Sequence, residues 1–288
     1  EQLLQLSPKY AVKGYWLGTE ETNNTHSLRE YGSDLELQEL SFYQLWNELE
    51  LFIERHKIDI IHIHSLSHPK LISKLFNLRP VVRSMHEPRI VCPGQGKFWR
   101  KSERICNKPF GLHCVYHAYK EGCCNRHPKR LWSSLKNVQF ETTAGKNNYK
   151  AIIAMSQYMY NEALVAGYSE SQLMLNPYFT PKIEESNLVV SSGDEIKQIL
   201  FVGRLSRTKG LHYFILAGLK ILKSDQQVLF QIAGSGHDEE YFKSLIPQAH
   251  VSYFQFLGWQ DRSSINDLIN ESYLVVFPSI YPEAFGIV

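Results

Sequence analysis

The stretch Phe201-Val202-Gly203-Arg204-Leu205-Ser206-Arg207-Thr208-Lys209-Gly210 decides the fold. Residues 198–202 form a short apolar run of strand length. After the loop, Leu211, Phe214, Ile215, Gly218 and Leu222 recur at the spacing of one helix face. The glycine between them ends a strand and lets another backbone approach closely. Arg204 and Lys209 flank a short loop that opens a helix. A helix N-terminus with two cations suits a diphosphate, Arg offering forked donors and Lys a point charge. This is not a Walker A loop, because the Gly-Lys-Ser/Thr ending is missing. On spacing alone, two solvated cations on a loop are the simpler account.

Three further junctions follow. In Gln231-Ile232-Ala233-Gly234-Ser235-Gly236 a strand runs into Gly-x-Gly, which suits a backbone turn near phosphate or sugar and equally a plain tight turn. Phe256-Leu257-Gly258-Trp259 places an aromatic after a strand-end glycine, to wall a nucleobase or to pack. Phe277-Pro278-Ser279-Ile280-Tyr281-Pro282-Glu283-Ala284-Phe285-Gly286 brings a carboxylate to the start of a helix, where it can accept hydrogen bonds from sugar hydroxyls or complement the helix terminus.

The same alternation runs upstream. Strands are expected at 10–17, 58–64, 80–85 and 151–156, and helices at 41–55, from Pro69, at 131–147 and at 157–166, with Gly167 as a cap. Beyond the decisive stretch, strands at 228–233, 252–257 and 273–277 alternate with helices at 238–246 and 262–270. Such alternation predicts an α/β protein of doubly wound parallel sheets, with ligands outside the carboxyl ends of the strands. The polar, turn-rich stretch 181–196 is the candidate linker between residues 1–180 and 197–288. On the strand at 58–64, alternation is expected to turn His62 and His64 to opposite faces, His62 structural and His64 a cleft candidate.

Of 288 residues, 43% are hydrophobic and 21% charged, which excludes a disordered chain. No apolar run approaches the roughly 20 residues of a membrane-spanning helix, and EQLLQLSPKY lacks the pattern of a signal peptide. With no initiating Met, the sequence is expected to be a piece of a longer chain. Charge is unevenly spread: residues 1–78 carry net −4, 79–130 net +9 and 131–288 net −3. The basic block would concentrate an anionic partner, and in the absence of nucleic-acid motifs a phosphorylated substrate or an anionic membrane ranks above nucleic acid. All five cysteines, Cys92, Cys106, Cys114, Cys123 and Cys124, fall within it. Their odd number argues against a disulfide framework. Free thiols are favoured over a structural zinc, since paired C-x2-C knuckles are absent.

Taken together, the four C-terminal junctions resemble the donor-binding half of GT-B glycosyltransferases, specifically the retaining group 1 type of family 4. Asp59-Ile60-Ile61-His62-Ile63-His64-Ser65, Met85-His86-Glu87 and Ile153-Ala154-Met155-Ser156 resemble the N-terminal half more loosely. The resemblance implies two Rossmann-like domains facing across a cleft, with a Cys-rich basic insertion at about 88–130 and an incomplete C-terminal domain. It implies transfer of a sugar from a UDP- or GDP-sugar to an acceptor hydroxyl with retention, in polysaccharide, lipopolysaccharide or glycolipid synthesis. Gly203, Arg204, Lys209, Gly234, Gly236, Trp259, Ser279, Glu283, Ala284, Phe285 and Gly286 would bind the donor. His86 and Glu283 would be catalytic, with Glu87 a lesser candidate. Glu283 matches the first glutamate of E-x7-E; the second would fall three residues past Val288. The resemblance implies no catalytic metal or other cofactor, a glycan or lipid-linked acceptor, and a cytoplasmic protein, peripheral at the membrane in one reading. Alternatives on the same fold are a nucleotide-sugar hydrolase, epimerase or phosphorylase, or a non-catalytic sugar-binding module. A zinc-stapled nucleic-acid binder ranks last.

Overall fold

In a computed structural model, the described residues are 15–19, 25–30, 36–178, 196–283 and 286. The chain divides into two compact units, Glu1–Val82 and Arg83–Val288, each with its own architecture.

The first unit opens with an antiparallel meander of β1 (Tyr15–Thr19), β2 (Thr25–Glu30) and β3 (Glu36–Ser41). Tyr15 faces Glu30 across one pair and Thr25 faces Ser41 across the other, with a register shift between Leu28 and Arg29. The helix Phe42–Arg55 follows and buries Leu49 and Ile53. Strand β4 (Ile61–Ile63) is held by the Ile61 N–H, which donates to the Pro80 carbonyl at 3.0 Å. The helix Pro69–Leu78 starts on proline, whose missing N–H costs nothing in a first turn. His68 Nδ1 accepts the Leu71 N–H at 3.2 Å, and Leu71, Ile72 and Leu75 form the buried stripe. Strand β5 (Val81–Met85) follows, and the division between the units falls within it.

In the second unit, a hairpin of β6 (Phe98–Trp99) and β7 (Arg104–Ile105) opens the basic block. The helices His113–Lys120 and Pro128–Phe140 pack through Ala118, Cys124 and Leu131. A π-helical turn, Glu141–Gly145, extends the second of these. It places Glu141 Oε1 3.4 Å from Arg83 Nη2 with both side chains buried. Burial raises the Glu141 carboxyl above its ordinary value, and the Arg83 charge opposes that rise. Strand β8 (Ala151–Ala154) pairs in parallel with β9 (Leu173–Leu175), joined by the helix Gln157–Val165, whose N-cap Ser156 accepts the Met159 N–H at 3.3 Å.

The remaining sheet is wholly parallel. Its strands β10 (Lys197–Val202), β11 (Val228–Ala233), β12 (Phe254–Gly258) and β13 (Leu274–Val275) lie in the order β12-β11-β10-β13. The helices Leu211–Ile221, Glu239–Ser244 and Arg262–Glu271 connect them. In its core Phe214 meets Phe230 edge-on at 5.7 Å and Phe230 stacks on Phe254 at 4.9 Å between centroids. Gly218 admits that pair, because a Cβ there would meet Phe254 and Phe230 at 3.0 and 3.1 Å. Among the described residues no helix is long and apolar enough to cross a membrane.

Several expectations need amending. The first strand is β1 at Tyr15–Thr19, and residues 10–14 lie outside the described residues. The short strands β2, β3 and β9 were not read from the pattern. The helix expected at 131–147 begins at Pro128 and passes into the π turn. The linker at 181–196 lies outside the described residues except for Ile196. Strand β4 stops at Ile63, so alternation does not carry to His64. The two imidazoles are both exposed, with centroids 4.1 Å apart, rather than on opposite faces.

Candidate functional site

The loops that follow the parallel strands are bound to one another through their backbones. The Gly203 N–H donates to the Ala233 carbonyl at 3.0 Å, Gly234 to Gly258 at 2.7 Å and Leu205 to Ser235 at 2.9 Å. These bonds need glycine. At Gly234, where φ is +144°, a Cβ would sit 1.9 Å from the Gly203 carbonyl oxygen, and at Gly236 it would sit 2.3 Å from that of Leu205. The Gly-x-Gly of the sequence is therefore a close backbone approach beneath the first loop. The Arg207 N–H donates to Asp238 Oδ2 at 2.9 Å, tying the same two loops from the other side.

A 3-10 turn, Arg207–Lys209, ends at Gly210 with φ +72° and hands over to the helix Leu211–Ile221. The turn points Lys209 toward the segment after β13, where the Ile280 N–H donates to the Thr208 carbonyl at 3.0 Å. Lys209 Nζ donates to Glu283 Oε1 at 2.7 Å, and Ser279 Oγ donates to the same oxygen. The Lys209 and Glu283 side chains are 26% and 22% exposed, shielded from bulk water yet reachable. Burial pushes the Glu283 carboxyl up. The hydrogen bonds from Lys209 and Ser279, with the Lys209 and Arg204 charges, outweigh it and leave the group below its ordinary value. It is thus a carboxylate at neutral pH.

Lys209, Ser279, Glu283 and Gly286 line a pocket of about 330 Å³ with Phe277 and Tyr281. It lies outside the carboxyl ends of β10 and β13, where a doubly wound sheet offers its loops. Arg204 is exposed at its rim, close enough for its charge to act on Glu283 and Tyr281. Gly203, Gly234 and Gly236 do not line it; they hold the neighbouring loops together through backbone contacts. Trp259 is 74% exposed and stands away from the lining. Ala284 and Phe285 lie outside the described residues.

Two tyrosines that the sequence reading left unassigned belong to this region. Tyr281 is packed from the insertion: Phe98 meets its ring edge-on at 6.4 Å, and a Cβ on Gly96 would touch its Cε2 at 3.0 Å. Burial raises its phenol, as do the Glu87 and Glu283 charges. It therefore senses both the segment after β5 and the segment after β13. Tyr178 follows β9 and meets His86, which follows β5. Its hydroxyl hydrogen-bonds His86 Nδ1, and the rings stack with centroids 5.7 Å apart. Burial raises the Tyr178 phenol, so it keeps its proton and holds His86 by hydrogen bond and stacking. Glu87 is engaged by Arg89, whose Nε donates to its Oε1 at 2.9 Å. No signal beyond a polar aromatic at a strand end could have singled out either tyrosine.

The five cysteines are free thiols, and burial holds Cys92 and Cys114 above the ordinary thiol range. Among the described residues, no three His, Cys, Asp or Glu side chains are placed to hold a metal ion, so the zinc candidates are not assembled into a ligand set.

Residues 183–288 match the model of the family Glycosyl transferases group 1. An uncharacterized glycosyltransferase of Methanocaldococcus jannaschii is 43% identical over 96 residues, 33% of this chain and 24% of that protein. Among solved structures, Staphylococcus aureus TarM superposes with a TM-score of 0.55 at 13% identity, over 93% of this chain and 45% of its own. Anabaena HepE, solved with UDP, superposes with 0.52 at 19%, over 84% and 58%. The chain thus spans about a quarter of the curated relative's length and about half of these structures. At such identities the likeness to the solved structures shows the fold, which is GT-B. The pocket at Lys209 and Glu283 lies inside the matched segment, so it belongs to the part of the chain that is similar to the group 1 glycosyl transferases.

Proposed function

We propose that the chain belongs to a retaining glycosyltransferase that moves a sugar from a UDP- or GDP-sugar to an acceptor hydroxyl. One observation carries the reading: a carboxylate, Glu283, held by Lys209 and Ser279 at the mouth of a parallel sheet, with Arg204 at the rim. HepE, a neighbour of the same fold, was solved with UDP, which agrees with a nucleotide donor.

The leaving group is a nucleoside diphosphate, so negative charge grows as the glycosidic bond breaks. Lys209 and Arg204 would stabilise that charge in place, without rearranging at the moment of reaction. As Lys209 turns to the diphosphate, Glu283 is released to accept hydrogen bonds from hydroxyls of the transferred sugar. His86, oriented by Tyr178, would lie near the reacting carbon. Tyr281, wedged between the insertion and the pocket, would exclude water from it. The reading assigns these roles to the chain's own side chains and requires no further cofactor. It extends to a glycan or lipid-linked acceptor and to a cytoplasmic protein working in polysaccharide or glycolipid synthesis.

The test is a thermal-shift screen of UDP, GDP and their sugars, followed by product analysis with and without a sugar acceptor. Stabilisation by one nucleoside diphosphate, and acceptor-dependent release of it with the product's anomeric configuration retained, is expected. Release of free sugar at the same rate without acceptor would overturn the transferase reading in favour of hydrolysis.

A further inference from the structure

The hairpin of β6 and β7 pairs only two residues in each strand, too few to hold its shape alone. Its surroundings fix it at both ends. At the base, Lys97 is buried; its Nζ lies 2.8 Å from Glu162 Oε2 and donates to the Lys108 carbonyl at 2.6 Å. At the turn, the Lys101 N–H donates to the Glu121 carbonyl at 3.1 Å, and the Ser102 hydroxyl donates to the Glu121 carboxylate at 2.9 Å. The next residue, Glu103, takes φ +51°, in the left-handed region that a glutamate seldom enters. Such strain persists where the surrounding contacts over-determine it, and it gathers at working parts of a protein.

Glu103 Oε1 lies 3.8 Å from Arg207 Nη1, and Oε2 lies 3.6 Å from His212 Nε2. Arg207 opens the 3-10 turn, and His212 is the second residue of the helix that follows. One carboxylate therefore spans the turn that carries Lys209. Both partners are held from other directions too. The Arg207 guanidinium sits over the Tyr241 ring, 4.1 Å from its centroid, and the Arg207 N–H is bound by Asp238. His212 is 8% exposed, beside the rings of Tyr213 and Phe242, and neither ring nitrogen has a hydrogen-bond partner. Burial lowers the imidazole from its ordinary value, Glu103 draws it up and Arg207 pushes it down. Both separations exceed a hydrogen bond, so Glu103 acts here by charge.

An ion pair on open surface would contribute little. This one differs in three ways: its acid is held in a strained backbone, one of its partners is a buried imidazole, and its two partners stand on either side of Lys209. We propose that Glu103 is a positioning residue of the donor pocket, reaching from the insertion to clamp the Arg207–Lys209 turn and so hold Lys209 where a diphosphate would meet it. The inference rests on the reading of Lys209 as the diphosphate ligand, and adds a residue that acts through the turn.

The experiment compares the full chain with Glu103→Gln, which keeps the shape and removes the charge, and with Glu103→Asn, which accepts a left-handed backbone but is shorter and neutral. The Lys209 and Gly210 N–H groups donate to the Ser206 and Arg207 carbonyls at 2.9 and 3.0 Å, so their hydrogen exchange reads the turn directly. In both variants those two amides should exchange about two- to fivefold faster, the range of a partly exposed ion pair, while amides of β11 stay as in wild type. The His212 imidazole, followed by NMR, should titrate at lower pH once Glu103 is neutral. UDP or GDP should bind more weakly by the same factor, with the urea midpoint unmoved. A lowered midpoint with faster exchange throughout the sheet would make Glu103 merely structural and overturn the proposal. Unchanged exchange at Lys209 and Gly210 would overturn the clamp, and faster exchange with unaltered nucleotide affinity would overturn its role in the pocket. Should the wild type bind neither nucleotide, the donor reading fails on its own, and exchange with the imidazole titration still decides the clamp.

Discussion

Replacing Lys209 with methionine keeps an unbranched side chain one atom shorter and removes its charge. In the empty pocket the ammonium holds Glu283 at 2.7 Å, and both groups are about three-quarters shielded from water. A charge-assisted hydrogen bond in such a setting contributes about 1.5–3 kcal/mol net. When a diphosphate arrives, the same ammonium faces the ligand, so the loss falls on binding. At about 1.4 kcal/mol per tenfold, UDP or GDP should bind about 10- to 150-fold more weakly. The folded protein loses less, about 1 kcal/mol, because Ser279 still donates to Glu283. The pH dependence gives a second reading. A carboxyl depressed in the folded state contributes stability that is present above its unfolded value and lost as pH falls through the folded one. Without Lys209, burial drives the Glu283 carboxyl back up, and the acid limb of stability should move to higher pH. Titration calorimetry with UDP and GDP measures the first effect, and urea midpoints across the acid range measure the second. An affinity within about twofold of wild type, with the acid limb unmoved, would falsify the placement of this lysine on the diphosphate.

Glu283→Gln should cut turnover about a hundredfold or more while shifting the urea midpoint by less than about 1 kcal/mol, because the neutral amide still accepts from Lys209; equal losses in both would make Glu283 a structural cap. Tyr178→Phe should lower kcat several-fold at unchanged KM by releasing the His86 ring from its hydrogen bond, and an unaltered kcat would remove Tyr178 from the site. Gly210→Ala forces a side chain into a left-handed residue with its Cβ 1.9 Å from the Pro278 carbonyl oxygen. A loss of about 2 kcal/mol or more is expected on chemical denaturation, and a variant as stable as wild type would mean the loop relaxes freely.

The C-terminal sheet was legible because buried parallel strands are continuous apolar runs and three of its four, β10, β11 and β12, end on a glycine. Val228–Ala233 has the bounds expected of it, and Lys197–Val202 and Phe254–Gly258 differ by a residue or two. The pairing of Lys209 with Glu283 was not legible. The two are 74 positions apart, and their loops meet through the Ile280–Thr208 hydrogen bond and the close approach of Gly210 to Pro278, which no local pattern announces. The meander's second and third strands, Thr25–Glu30 and Glu36–Ser41, escaped notice because they mix polar and apolar residues, without the buried runs that mark a parallel sheet. Tyr281 was passed over for a related reason: what places it is Phe98, far away in the insertion.

The backbone seam joining Gly203, Gly234 and Gly258 also bears on how such a protein can diversify. Its geometry is written in main-chain atoms, so it survives any exchange of neighbouring side chains that spares the glycines. Under the proposed function, selectivity for one sugar over another could drift through Ser279 and Tyr281 while the foundation stays fixed. A library randomising those outer positions should retain foldable members at high frequency, whereas one that touches the seam should collapse.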